Sequence, residues 1–174
     1  ENKFNIYMRT IMNERIINGN VICDGSIEDL WQVWTTEEGA MTFFAPACKI
    51  NLKIGGAYEM YFNHYGEPGE RGGEGLTILA FQHQKMLSFT WNAPPNMPLV
   101  RRQFTSVVIR FGKLNLKQTR CSLFHSGWGE GDEWDEAFEY FSSAWLKVVL
   151  PRLVYRFKVG PIDWKNLPDL NNAT

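Results

Sequence analysis

Several absences narrow the functions open to this chain of 174 residues. It has no C-x-x-C pair, and its three cysteines cannot all pair, so neither a zinc ribbon nor a thioredoxin-like site is indicated. It has no long basic run and a net charge of −1, which argues against nucleic acid as a partner. No apolar run approaches the ~20 residues that a membrane-spanning helix needs. We therefore expect no metal site, no nucleic-acid partner and no membrane span.

Motifs of nucleophilic and redox enzymes are missing as well. The chain has no serine in G-x-S-x-G, no H-E-x-x-H and no dinucleotide-binding fingerprint, so no cofactor is expected. The glycine-rich stretch 66–75 has the composition of a phosphate loop. However, a strand pattern follows it instead of a helix, and Glu67, Glu70 and Glu74 would repel an anion. We interpret this stretch as a hairpin loop, which could form a lid beside a cavity.

Aromatic residues, by contrast, are abundant. Seven tryptophans and twelve phenylalanines must either fill a core or line an internal cavity. The length suits a single domain over residues 1–174. Within it we distinguish an N-terminal arm at 1–13, a core at 14–153 and a C-terminal extension at 154–174.

The order of the patterns predicts the α+β class. A first strand at 14–24 precedes Ser26, which is placed to cap a helix, with Asp29 as the partner of an imperfect capping box. Two short helices are expected there, and short alternating segments then indicate antiparallel strands as far as residue 126.

A long amphipathic helix is predicted next. Apolar residues recur every three or four positions from Asp132 to Leu150, and Pro151 is expected to end or kink the helix. We predict a curved antiparallel sheet of about six or seven strands wrapped on this C-terminal helix.

Four segments, in this order and spacing, resemble the START-related, Bet v 1-like (SRPBCC) superfamily. Within it they are similar to the branch of activator of Hsp90 ATPase homologues. The segments are SIEDLWQVWTTEEGAMTFFAP (26–46), KIGGAYEM (53–60), GEGLTILAFQHQKMLSFTW (73–91), and the stretch from TRCSLFHSGW to WLKVVLPRL (119–153).

The resemblance implies a helix-grip fold with a cavity between the sheet and the C-terminal helix. Members of the superfamily bind lipids, hormones or polyketides, some catalyse reactions, and some assist chaperones. The resemblance favours a cytoplasmic location, whereas Glu1 in place of a start methionine leaves export open. A protein partner or a homodimer would also fit.

The predicted cavity face includes His125, which shares one side of a strand with Cys121 and Leu123. His125 is either a satisfied histidine near a strand end or a weak candidate for a general acid or base. The aromatic residues also have two interpretations, because they either fill the core or line the cavity. The predicted cavity residues are Tyr58, Met60, Trp91, Cys121, Leu123, His125, Phe141 and Trp145.

Two clusters of charged residues lie near this face in the predicted fold, an acidic cluster at 132–136 and an arginine pair at 101–102. We interpret the acidic residues as the start of the long helix, with Asp132 as its N-cap and the glycines at 127–131 allowing the chain to turn. A carboxylate pair for glycoside or ester chemistry is the alternative. Arg101 and Arg102 are either a solvated loop pair or an anion grip at the cavity entrance. The acidic residues are Asp132, Glu133, Asp135 and Glu136.

Three hypotheses for function follow. The first is binding of a small hydrophobic or aromatic ligand without catalysis, which would be driven by burial of apolar surface. The second is a protein-interaction role like that of the Hsp90 ATPase activators, which requires an exposed apolar patch. The third is a cyclase or hydrolase that uses His125.

Overall fold

The computed structural model describes residues 14–170, so the predicted N-terminal arm lies outside the described residues. The sheet and helix elements follow the predicted order. The strands are β1 (Ile17–Cys23), β2 (Ala47–Ile50), β3 (Tyr58–Tyr61), β4 (Gly72–Gly73), β5 (Ile78–Gln82), β6 (Met86–Trp91), β7 (Thr105–Lys113) and β8 (Thr119–Ser126). The helices are α1 (Ile27–Thr35), α2 (Glu37–Ala40), α3 (Pro98–Arg101), α4 (Asp132–Ala144) and α5 (Leu150–Lys158), with a π-helical segment, Trp145–Val149, between the last two.

The strands form two antiparallel sheets in place of the single sheet expected. The larger has the order β1-β8-β7-β6-β5, and the smaller has the order β2-β3-β4. An isolated bridge pairs Ala57 with Thr77 between them. Backbone hydrogen bonds from Tyr58 to Leu76 (2.9 Å) and from Ile78 to Gly56 (2.9 Å) extend this connection. The two sheets therefore bend into one curved surface, and the helix-grip class is confirmed.

The two short helices after β1 begin as predicted. The Ser26 hydroxyl accepts the Asp29 backbone N–H at 3.1 Å, and the Asp29 carboxylate accepts the Ser26 backbone N–H at 3.1 Å, which completes a capping box. The Thr36 hydroxyl caps α2 by accepting the backbone N–H of Gly39 at 3.0 Å. Helix α1 buries Leu30, Trp31, Val33 and Trp34 against the sheets.

The long helix does not end at Pro151. Proline lacks the N–H that would bond four residues back, so an undisturbed α-helix would lose a bond there. The chain instead forms the π segment just before it, in which Leu150 N–H bonds to the Trp145 carbonyl five residues back. The helix then continues as α5 to Lys158. The predicted boundary at residue 153 thus falls inside a helix.

The helix start also differs from the prediction. The N-cap is Gly131 and not Asp132, and its φ of 113° lies in a region that suits glycine. No side chain caps this end, and Asp132 is already helical. The glycine takes the cap position because the chain turns sharply there, as the φ of 88° at Gly127 also reflects.

Candidate functional site

A pocket of about 260 Å³ lies between the long helix and three aromatic residues, which are Phe44 after α2, Phe62 after β3 and Trp91 on β6. A second space of about 210 Å³ adjoins it on the side of the loop that joins β3 to β4. The two share four aromatic residues, so they form one groove. The shared residues are Phe62, Trp91, Tyr140 and Phe141.

Trp91 is the central wall of this groove. Its ring lies 5.7 Å from Phe44 in a stacked arrangement, 5.2 Å from Trp145 and 6.5 Å from Phe62, measured between ring centroids. Only 3% of its surface is exposed. Its indole N–H is buried and has no hydrogen-bond partner among the described residues. Such a donor costs about 1–3 kcal/mol relative to a satisfied one.

The helix contributes one side of the groove by its regular spacing. Phe141, Ala144, Trp145, Val148 and the residues after them recur three or four positions apart and so lie on the same side. The π segment, Trp145–Val149, contributes three of the lining residues. The wall is completed by Phe44, Phe62, Trp91, Tyr140, Val149 and Arg152.

The predicted cavity residues divide into two groups. Trp91, Phe141 and Trp145 line the groove. The other five are fully buried and do not line it, because the space between sheet and helix at their depth is filled by side chains. These five are Tyr58, Met60, Cys121, Leu123 and His125.

Tyr58 illustrates how that depth is filled. Its ring stacks on Phe89 with centroids 4.2 Å apart, and its hydroxyl donates to the Trp34 carbonyl at 2.8 Å. Burial raises the pKa of this hydroxyl well above its ordinary value. Burial likewise raises the pKa of the Cys121 thiol. Neither group is suited to ionise in the folded protein.

His125 lies at the centre of a hydrogen-bond chain that crosses the domain. The Trp145 indole N–H donates to His125 Nδ1 at 2.9 Å, so Nδ1 is an acceptor. The proton is therefore on Nε2, which lies 2.6 Å from Thr105 Oγ1. The Thr105 hydroxyl in turn donates to the Trp91 carbonyl at 3.2 Å. The chain links the long helix to β8, β7 and β6.

This environment keeps the His125 ring neutral. Burial lowers the pKa of His125 from 6.5 to about 3, because water is excluded from the charged form. Both ring nitrogens are already engaged, and no second titratable group in the described chain hydrogen-bonds to them. The arrangement suits a buried structural histidine.

Two of the acidic residues at the start of the long helix make contacts in addition to their interaction with the helix dipole. Glu133 accepts the Val100 backbone N–H at 2.6 Å and so ties the helix to α3. Asp135 pairs with Arg15 at 2.5 Å, and Arg15 also donates to the Gly129 carbonyl at 2.8 Å. Asp132 and Glu136 are exposed. The four carboxylates do not converge on one point of the groove.

The Arg101 side chain binds other segments of the same chain. Its guanidinium donates to the carbonyls of Gly72 (3.0 Å), Ala93 (2.5 Å) and Gly69 (2.8 Å), and it lies 3.5 Å from the Glu74 carboxylate. It thus fastens the glycine-rich loop to α3. Arg102 beside it is exposed, and neither residue lines the groove.

The described residues contain no group of three or more histidine, cysteine, aspartate or glutamate side chains that could hold a metal ion. In the same part of the chain, no helix is long and apolar enough to cross a membrane.

Sequence reasoning missed several residues of the groove. Phe44 lies in the turn after α2, and Phe62 is the first residue after β3, so strand alternation did not place either side chain in the groove. Arg152 was missed because the helix was expected to end or kink at Pro151, so no residue beyond Pro151 was assigned to a face of that helix. Extending the three-and-four spacing from Val148 would have reached it.

The comparisons with known proteins agree with this architecture. The family described as Activator of Hsp90 ATPase homolog 1-like protein matches residues 24–154, which is more than half of the chain. Comparison with the curated proteins gives no match.

Solved structures share the fold at low sequence identity. The solution structure of the Aha1 dimer from Colwellia psychrerythraea has a TM-score of 0.62 and 17% identity, covering 84% of this chain and 98% of that one. An HSP90 activator from Plasmodium falciparum has a TM-score of 0.60 and 13% identity, covering 84% and 96%. Protein BH1534 from Bacillus halodurans has a TM-score of 0.61 and 21% identity, covering 82% and 96%.

Proposed function

The chain belongs to the family of Activator of Hsp90 ATPase homolog 1-like proteins, and we propose that it binds a small apolar or aromatic molecule in the groove beside Trp91. The unpaired indole N–H of Trp91, buried in an otherwise aromatic wall, is the observation that carries this proposal. A ligand with an acceptor atom would satisfy that donor.

The energetics of the groove favour such a ligand. Apolar surface removed from water contributes about 25 cal/mol per Å². Satisfying a buried donor recovers part of the ~1–3 kcal/mol that an unmade hydrogen bond costs. The main pocket, at about 260 Å³, is slightly smaller than the ~300–1,000 Å³ typical of ligand sites, which suits a molecule of one or two rings.

Filling the groove should abolish this binding. Ala144 lines the wall, and Ala144→Phe places a ring in the space that the ligand would occupy. We expect isothermal titration with 2-naphthalenemethanol to give a Kd at least ~20-fold higher for this variant than for the native chain, about 1.8 kcal/mol.

The matched control is Ser143→Phe. Ser143 is the preceding helical residue, is exposed and does not line the groove, so the same added ring should leave the Kd unchanged. Thermal unfolding of both variants checks that they fold. A native chain that fails to bind, or equal affinity in the native chain and Ala144→Phe, would contradict the proposal.

A protein-interaction role is the second candidate. Phe62 and Tyr140 are 45% and 49% exposed, and they frame the groove that a partner segment could enter. One structural neighbour is an HSP90 activator, and another is an Aha1 dimer. Measuring the ATPase rate of an Hsp90 with and without this protein tests this role. An increase that is lost in a Phe62→Ser, Tyr140→Ser double variant would support it, and an unchanged rate would count against it.

The cyclase or hydrolase hypothesis has the weakest support. An acid or base must reach its substrate directly or through one water molecule. His125 lines neither part of the groove, and both of its ring nitrogens are hydrogen-bonded within the protein.

A further inference from the structure

Arg152 differs from Arg15, Arg71 and Arg101, whose guanidinium groups are hydrogen-bonded within the protein. Arg71 lines the second part of the groove and donates from Nε to the Gly66 carbonyl at 3.0 Å. Arg15 pairs with Asp135, and Arg101 donates to three backbone carbonyls. The Arg152 guanidinium lies over the Trp164 ring, 5.1 Å from its centroid, and no acceptor among residues 14–170 hydrogen-bonds to it. A half-buried guanidinium whose five donors have no acceptor in the described protein is available to a ligand.

Its place in the wall gives the main pocket a charged end, while Glu70 and Arg71 line the adjoining space. Among residues 14–170, Arg152 is the only charged residue that lines the main pocket, and the others are aromatic or aliphatic. Burial lowers the pKa of Arg152, since its charge is partly desolvated without compensation. The group is still protonated at neutral pH, because an arginine starts from an ordinary value above 12.

Trp164 holds the guanidinium in this place. Its indole N–H donates to the Met41 carbonyl at 2.7 Å, which fixes the ring against the segment after α2. The cation–π contact engages the cation without an acceptor atom, so it leaves the N–H groups of Arg152 unused. The position is thus set before any anion arrives, and less entropy is lost on binding.

The two unused groups in the wall are both donors. Trp91 has a buried N–H with no partner among the described residues, Arg152 carries a cation without an acceptor there, and the Trp145 N–H is already taken by His125. A neutral hydrocarbon would leave both donors unsatisfied. An acidic molecule with an apolar body would complement both the walls and the donors.

We infer that the groove selects an amphipathic organic anion, whose aromatic or aliphatic body packs on Trp91 and whose carboxylate pairs with Arg152. This inference rests on the proposed ligand binding and specifies its chemical class. It moves the anion contact from Arg101 and Arg102, the pair that the sequence indicated, to Arg152, which the continued helix brings into the wall.

Two probes that differ only in charge test it. Isothermal titration at pH 7.5 compares 2-naphthoate with 2-naphthalenemethanol on the full chain. We expect the native protein to bind the carboxylate at least ~10-fold more tightly, the effect of one charge-assisted hydrogen bond. In Arg152→Gln the preference should be lost, so that the two probes have Kd values within about twofold of each other.

Two further variants separate charge from structure. Arg152→Lys keeps the cation and should keep a preference for 2-naphthoate of about threefold or more. Arg102→Gln removes an exposed charge outside the groove and should keep the full preference.

The outcomes separate this inference from the proposal beneath it. If the native chain binds both probes equally well, or Arg152→Gln keeps the preference for 2-naphthoate, the anion inference is overturned and ligand binding stands. If neither probe binds the native chain, both fail together.

Discussion

Replacing Trp145 with alanine is expected to lower the free energy of unfolding by about 4 kcal/mol or more. Removal of a large buried aromatic side chain costs about 3–5 kcal/mol in lost burial and cavity formation. Trp145 is fully buried and contacts Phe44 and Trp91 at centroid distances of 5.6 and 5.2 Å. The substitution also leaves His125 Nδ1 without its donor, which adds about 1–3 kcal/mol.

Chemical denaturation of the native chain and two variants measures this effect. Trp145→Phe keeps an aromatic ring but removes the N–H, so it should cost less than the alanine variant, about 1–3 kcal/mol. A loss below about 2 kcal/mol for Trp145→Ala would show that Trp145 does not hold the helix to the sheet as the structure indicates.

The second large effect is a loss of stability in acid that depends on His125. The unfolded chain takes up a proton at this residue below pH 6.5, whereas the folded protein takes it up only near pH 3. Between these values the unfolded state binds more protons, so the free energy of unfolding falls as the pH falls. The slope from this one group approaches ~1.4 kcal/mol per pH unit once the pH is well below 6.5, so the loss between pH 6.5 and 4.5 is roughly 2 kcal/mol.

The matched comparison is between His125→Gln and His64→Gln. Other groups contribute to the acid slope of every variant, so the difference in slope from the native chain is the quantity to measure. His125→Gln should have the shallower slope between pH 4.5 and 6.5, although its stability at pH 7.5 is lower. His64 lies in an exposed loop, and His64→Gln serves as the control that should keep the native slope. Identical slopes for the native chain and His125→Gln would contradict the neutral buried ring.

These effects show which part of the fold follows from local sequence. The capping box at Ser26 and Asp29 depends on neighbouring residues, so it was predictable and is present. The alternation in β8 also predicted that Cys121, Leu123 and His125 face inward. The passage of the helix through Pro151 was not predictable, because it depends on a π segment that packing against the sheets favours over a break.

The candidate site follows less directly from the sequence. The proximity of Trp91 and Trp145 follows from the topology alone, and the family resemblance predicted that topology. Which residues line the groove and which are packed in the core depends on the volume left between the side chains. The alternation that places Tyr58 and Met60 on one face of a strand gives no information about that volume. The pairing of Arg101 with distant carbonyls, and the unpaired state of Arg152, arise from long-range contacts that no local motif encodes.

The structure therefore reassigns the residue that first suggested chemistry. His125 belongs to a hydrogen-bond chain that ties the long helix to the sheet, and functional interest moves to the groove beside it. The same helix contributes to both stability and the groove. Trp145 stabilises the fold through its hydrogen bond to His125, and Arg152 lies two turns further along the groove wall.

The indole ¹H–¹⁵N resonance of Trp91 tests the central claim most directly. The chain has seven tryptophans, and a Trp91→Phe variant assigns the signal by its disappearance. Trp128 is the internal control, because its indole N–H already donates to the His125 carbonyl at 3.0 Å. We predict that saturating 2-naphthoate moves the Trp91 N–H downfield, as the donor gains an acceptor, while the Trp128 signal stays in place. A ligand that binds without moving the Trp91 signal would contradict the account.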